Sequence, residues 1–294
     1  MFYRLLIPVY QLLIIAVPFG IAATPFLLEM PLWGRGLYLF LAPLVYGVSY
    51  VLLCGLLSRP FRSGIQEGKF ERSLNNPVYC RRRLHALCWT SIYYSPGYAY
   101  FLAFPKLRAL LFRLFGYRGA LDFTCYPDTW LRDLLILQIG SGTYLSNKST
   151  IGTNLALKDG RIMVEGIQIG AGAMVGHLVM VAAGSRLDDG AEISHGTASG
   201  ARVSLGKNAV VNPDCGIDHR AEIGDSAEVG TRSYVGLAAV IGPGVHVPPG
   251  SVIARRTRIR TQADMDQLRA FETQELIALR LLLAGRIQSP DECE

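Results

Sequence analysis

Two uninterrupted apolar runs open the chain. Residues 5–28 (LLIPVYQLLIIAVPFGIAATPFLL) and 37–57 (LYLFLAPLVYGVSYVLLCGLL) carry no charged side chain. Each is long enough to cross a hydrocarbon layer of about 30 Å as a helix. Only the link around EMPLWGRG separates them, so the pattern predicts a transmembrane helical hairpin over residues 1–58. A cleaved signal peptide fits poorly, because the first run is long and a second follows at once. Beyond the second run stand Arg59, Arg62, Lys69, Arg72, Arg81, Arg82 and Arg83, opposed only by Glu67 and Glu71. Basic residues beside a span stay on the cytoplasmic side. Both termini are therefore expected in the cytoplasm, at the inner (cytoplasmic) membrane, with the basic cluster near anionic membrane lipids.

Residues 59–118 read as a basic, interfacial helical region. KLRALLFRLFGYR places apolar residues at helical spacing with Lys106, Arg108 and Arg113 between them, the pattern of a helix lying in the headgroup layer. ALCWTSIYYSPGYAYFLAF is interrupted by Pro96 and Gly97. For 86–104, an interfacial segment and a helical hairpin buried against the next domain are both open.

From residue 139 the period changes to six. In steps of six from Ile139 to Ile259, twenty of twenty-one positions are apolar, Ser199 being the exception. Two residues before the aliphatic the side chain is usually small, as at Ala173, Ala191, Ala209, Cys215, Ala221 and Ala227. This is the hexapeptide repeat of a parallel β-helix, in which three short strands close one coil and stacked coils bury an aliphatic column. The count predicts about seven coils over residues 119–261. Residues 154–166 contain a turn-like KDGR and an Arg161 where a small interior residue belongs, so they are expected to leave the coil as an outward loop. A distorted coil is expected at Ser199, between Gly196 and Gly200. Residues 262–294 read as a C-terminal helix and tail, with apolar positions at Leu268, Phe271, Leu276, Leu279 and Leu282. That helix caps the last coil, joins a neighbouring subunit or lies on the membrane.

Composition narrows the class. Half of the 294 residues are hydrophobic and 18% are charged, which excludes intrinsic disorder. Six cysteines without a CxxC pair exclude a disulfide scaffold and a zinc ribbon. The net charge of +6 sits largely beside the apolar runs, so no nucleic acid is needed to explain it.

The isoleucine-glycine hexads resemble those of the left-handed β-helix acyltransferases. The hydrophobic hairpin, the basic aromatic stretch, YPDTWLRDLLILQIGSG and TNLALKDGRIMVEGIQIGAGAMVG more closely resemble the membrane-bound C-terminal domains of polylysine-synthetase-type peptide synthetases. The resemblance covers residues 1–260. It implies a left-handed coil and a homotrimer. It further implies transfer of an acyl or aminoacyl group from a CoA or carrier-protein thioester to an amine or hydroxyl, with a carrier protein or peptide synthetase as partner. No permanently bound cofactor or metal is expected.

Such a transfer calls for a general base, and histidine suits it because its unperturbed pKa lies near neutrality. His177, His195 and His219 each fall two residues after an aliphatic, at a coil corner. His177 and His195 are eighteen residues apart and should stack in adjacent coils. His219 ranks first, because VVNPDCGIDHRAEIGD resembles the Asp-His stretch of sugar N-acetyltransferases of this superfamily. A polar corner residue without chemistry is the alternative for each. Asp218 should not orient His219, since strand neighbours point to opposite faces. His85 is expected at the membrane interface, and His246 points outward from a flat face. Arg255, Arg256 and Arg258, with Arg260, form a terminal basic cluster for a CoA phosphate or carrier-protein acids, or simply a solvated face. Many sugar O-acetyltransferases of the superfamily carry Thr-His before the outward loop, whereas here Thr153 precedes Asn154. A non-catalytic membrane scaffold that docks a synthase or carrier protein therefore stays open. So does a zinc enzyme of the carbonic anhydrase type, for which His177 and His195 supply two ligands. Cys215 occupies a small interior position, where a neutral thiol simply packs.

Overall fold

In the computed structural model, which describes residues 2–95, 97–270 and 274–275, the hexads do what their period demands. Seven parallel strands stack on each of three faces. Face 1 runs from Thr124–Cys125 to His246–Val247, face 2 from Trp130–Leu131 to Val252–Ile253, and face 3 from Leu137–Ile139 to Arg258–Ile259. Val175 pairs with Ile193 and Ile193 with Val211, so one coil takes three hexads. The aliphatics point inward and are almost wholly buried, as at Leu145, Ile151, Val175, Leu205 and Val229. The small positions before them are buried as well, including Ala173, Ala191, Ala209 and Ala227. Cys215 is one of these; its thiol donates to the Gly230 carbonyl at 3.2 Å, and burial raises its pKa.

The seven coils are not drawn from quite the expected residues. Leu157 and Met163 leave the column, while Cys125 and Leu131 enter it at the start. Eighteen residues separate Ile151 on face 2 from Ile169 on face 3, where six separate Val181 from Leu187. The excess is the expected outward loop, folded as an antiparallel hairpin of Asn154–Ala156 and Arg161–Val164. A third strand, Gly68–Glu71, reaches it from the N-terminal part and pairs antiparallel with Arg161–Val164. At Ser199 the register is regular on one side only: Ala198 pairs with Gly216 and Ser199 with Ile217, whereas toward the preceding coil Met180 pairs with Ala198 and the Val181–Ser199 pairing is missing. The buried Ser199 hydroxyl has no hydrogen-bond partner among the described residues.

Ahead of the solenoid lie helices α1 (Phe2–Ala23), α2 (Leu32–Ser58), α3 (Pro77–Tyr93), α4 (Gly97–Ala103) and α5 (Pro105–Leu114). Two stretches, Leu5–Leu27 and Leu32–Gly64, are helical, long enough and apolar enough to cross a membrane. Leu12, Phe19 and Phe40 stand exposed along them. The last turns of α2 are buried instead at Val51, Cys54, Gly55 and Ser58. Leu114 of α5 packs so closely there that a Cβ on Gly55 would lie 2.1 Å from its Cγ.

The interfacial expectation for 106–118 does not hold for the apolar face of α5. Leu111, Phe112 and Leu114 are buried, and the Phe112 ring meets Phe123 at 5.7 Å. The Arg108 guanidinium donates to the carbonyls of Leu121 and Phe123, both at 2.7 Å. The open end of an aliphatic column needs covering as much as any helix face does, and this helix covers it. Of the two readings of 86–104, burial prevails: Trp89, Ile92, Tyr98 and Phe101 are all inside, and the Trp89 indole donates to the Leu131 carbonyl at 2.8 Å. His85 is likewise not interfacial. It is buried edge-on to Phe115, and burial lowers its pKa to about 4.

Among these apolar contacts sits a polar knot. The Arg82 guanidinium is paired with the buried Asp133 carboxylate and donates to Asn154 Oδ1 at 3.1 Å. The Thr153 hydroxyl donates to Asp133 Oδ2 at 2.7 Å. The knot joins α3, the first coil and the root of the hairpin.

At the far end residues 262–270 are helical. Asp264 accepts from the Arg260 and Thr261 N–H groups, and its own N–H donates to the Thr261 hydroxyl, a capping box. Met265 is buried and Leu268 packs beside it, so the start of the helix caps the last coil. Phe271, Leu276, Leu279 and Leu282 lie outside the described residues.

Candidate functional site

Most coil corners are tight turns whose second residue often has a left-handed backbone: Arg202, Arg220 and Arg256 have φ of 59°, 60° and 60°. Corners stack through main-chain bonds. Between faces 2 and 3, Arg220 N–H donates to Ala201 O at 2.9 Å, Ala238 to His219 at 2.9 Å and Arg256 to Leu237 at 2.8 Å. Ala201, His219, Leu237 and Arg255 therefore form one ladder, a coil apart. The hairpin leaves the solenoid at this same corner, three coils before His219.

His219 is held by its own ladder. The Ala201 N–H donates to its Nδ1 at 2.7 Å. A side chain at position 200 would obstruct this, since a Cβ on Gly200 would lie 2.8 Å from that nitrogen. With the Nδ1 lone pair engaged, the proton of the neutral ring belongs on Nε2, which becomes a donor. Asp218 does not touch the ring: its Oδ1 accepts from the His219 N–H at 2.6 Å and its Oδ2 from the Tyr234 hydroxyl at 3.0 Å.

His219 borders a cavity of about 320 Å³ between the corner and the hairpin. Leu155, Leu157, Met163, Ala201 and Leu237 supply apolar wall, while Lys69, Arg202 and Arg220 supply cations. Glu165 takes a two-bond contact from Arg202, with Nε to Oε2 at 2.7 Å, and that guanidinium holds its carboxyl below the usual range. Glu67 Oε1 accepts from the Gly166 N–H at 2.8 Å, fastening the Gly68–Glu71 strand and hence Lys69 over the pocket.

The other two histidines stack in adjacent coils, at the corner between faces 1 and 2. His177 Nδ1 lies 3.0 Å from both the main-chain and side-chain oxygens of Asn147, so it donates there and leaves the Nε2 lone pair outward. His195 is exposed, without a ring partner among the described residues, beside a shallow hollow lined by Pro213, Asp214, Thr231 and Arg232. No third metal ligand joins this pair among the described residues. The structure thus separates the three candidates: His219 stands at one corner, and His177 and His195 at another. His246 lies outward on face 1, its Nδ1 3.2 Å from Glu228. Arg255 and Arg256 share the corner of His219 two coils on, about 10 Å away by strand spacing. Arg258 instead points out from face 3, beside Asp264 and Gln267.

Sequence reasoning counted Lys69 among the charges beside the span and missed the hairpin wall. The alternation in NLAL and RIMV around KDGR was the available signal for the hairpin. Asn154 is engaged by Arg82, away from the pocket lining.

No protein-family model and no curated protein sequence matches the chain. Among solved structures it is similar to GDP-perosamine N-acetyltransferase from Caulobacter crescentus, determined with CoA and GDP-perosamine. That match has 19% identity and a TM-score of 0.26, over 51% of this chain and 61% of that one. It is also similar to the acetyltransferase domain of a Neisseria gonorrhoeae protein, at 16% identity and a TM-score of 0.22, over 57% and 63%. Serine acetyltransferase from Neisseria gonorrhoeae matches at 15% identity and a TM-score of 0.19, over 72% of each chain. The chain thus spans less than two thirds of the first two proteins. At such identities the chemistry has to come from the residues of this chain.

Proposed function

We propose that the chain is a membrane-bound acyltransferase that takes an acyl group from a CoA or carrier-protein thioester and passes it to an amine or hydroxyl. The observation that carries this is the His219 corner: a fixed imidazole with a directed N–H, in a half-apolar pocket between a solenoid corner and a hairpin. The two apolar helices anchor the chain, and the basic residues after them keep the solenoid on the cytoplasmic side.

The pocket suggests a division of labour. Leu155, Leu157, Met163 and Leu237 would shield a thioester from water. The Nε2–H of His219 would donate to the thioester carbonyl oxygen and strengthen its hold as negative charge develops there. An acceptor amine then forms the C–N bond while the C–S bond breaks, and the amine proton goes to the departing thiolate. For His219 to act as a general base its proton would have to move to Nδ1, which breaks the bond from Ala201. Donation is the role its geometry supports. Arg255 and Arg256, two coils along the ladder, are placed for the donor's phosphates or a carrier protein's acidic side chains.

The test is release of free thiol by the purified full chain in detergent, with acyl-CoA and acyl-carrier donors and a panel of amines and alcohols. His219→Ala should lower turnover about 10²–10³-fold, the cost of one oxyanion donor, with little change in stability. Unchanged turnover in that variant would refute the role, and wild-type protein inert with every donor would refute the activity.

A further inference from the structure

We infer that the same pocket selects an acceptor bearing a phosphate or carboxylate group; this rests on reading the pocket as the transfer site. Its polar lining is one-sided. Lys69, Arg202, Arg220 and the His219 Nε2–H are all donors. Glu165 is the carboxylate beside them, and both of its oxygens are taken by Arg202. Neither Lys69 nor Arg220 has an ion pair among the described residues. Both lie close enough to Glu165 to help hold its carboxyl ionised. Three cations thus face one spent carboxylate across a cavity of about 320 Å³. A neutral amine or alcohol gives these cations nothing to bind, whereas an anionic group matches Lys69 as a point charge and Arg220 as a fork. The two come from distant parts of the chain, one on the strand Gly68–Glu71 and the other at the corner after His219. The positive site therefore exists only where the hairpin brings them together.

Binding is measurable without turnover. Inorganic phosphate is titrated into the full chain in detergent micelles, with the His219 ring followed by NMR of histidine-labelled protein. The expected result is a saturable shift of the His219 resonance. In Lys69→Gln with Arg220→Gln the affinity should fall at least tenfold, while Arg186→Gln, on face 3, leaves it unchanged. No saturable shift, or one indifferent to Lys69 and Arg220, overturns the inference. So does loss of the phosphate effect on Arg255→Gln with Arg256→Gln, which would place the anion at the donor's arginines. Phosphate binding together with full turnover of His219→Ala would leave the anion site standing and remove the transfer reading. The converse pair of results would do the opposite.

Discussion

Arg82 and Asp133 are the residues on which the junction between helices and solenoid turns. Their side chains are 2% and 1% exposed, so removing one leaves the other charged and dry. Asp133→Ala should cost about 3–5 kcal/mol in denaturant unfolding. Arg82→Met combined with Asp133→Ala should cost less than the sum of the single changes, because the second removes a charge that the first has stranded. Additive losses would mean that the pair is not coupled. Nearby, His85 makes stability depend on pH. Its folded pKa of about 4 lies below the ordinary 6.5. Between those values the unfolded chain binds a proton that the folded one does not. Stability should therefore fall as pH drops from about 6.5 to about 4, by up to about 1.4 kcal/mol per pH unit. His85→Leu should flatten that part of the stability curve, and an unaltered slope would contradict the assignment.

The hairpin is the element that turns a solenoid corner into a pocket, and its length explains why the hexad count concealed it. An insertion of two whole hexads between Ile151 and Ile169 keeps every later aliphatic in phase. Leu157 and Met163 then pass for column residues, although Met163 packs in a separate small cluster with Ala183 and Ala201. The column itself was legible because each inward side chain repeats the same steric demand. Lys69 was not legible at the site. Its strand pairs with residues ninety or more positions away, and such pairing leaves no period in the sequence. The deletion that follows is specific. Thr153 O already accepts from the Glu165 N–H at 2.9 Å, so the two ends meet. Joining Thr153 to Gly166 restores six residues between Ile151 and Ile169. The shortened chain should keep its solenoid, with Tm lowered by less than about 10 °C. It should lose thiol release, since half of the pocket is gone. Collapse of the β-signal by circular dichroism would show that the hairpin is part of the core.

On the scale of the molecule, the N-terminal part is more than an anchor. Its helices α3 and α5 close the first coil, and its strand Gly68–Glu71 carries Lys69 to the pocket. The apolar runs and the repeat were each legible alone. How the chain between them packs was not, since aromatic residues serve a buried junction and a headgroup layer equally well. The central claim is the place of chemistry: the ladder Ala201–His219–Leu237–Arg255, rather than the corner of His177 and His195. Cysteine capture of a donor analogue reads that place directly. Chloroacetyl-CoA is offered to the full chain carrying either Leu237→Cys, between His219 and Arg255, or Thr231→Cys, at the rival corner beside His195. Both positions are half-buried, and the unsubstituted chain sets the background. Mass spectrometry should find the adduct on Leu237→Cys, saturable and displaced by CoA, with Thr231→Cys at background. Capture at position 231 with none at 237 would contradict the assignment.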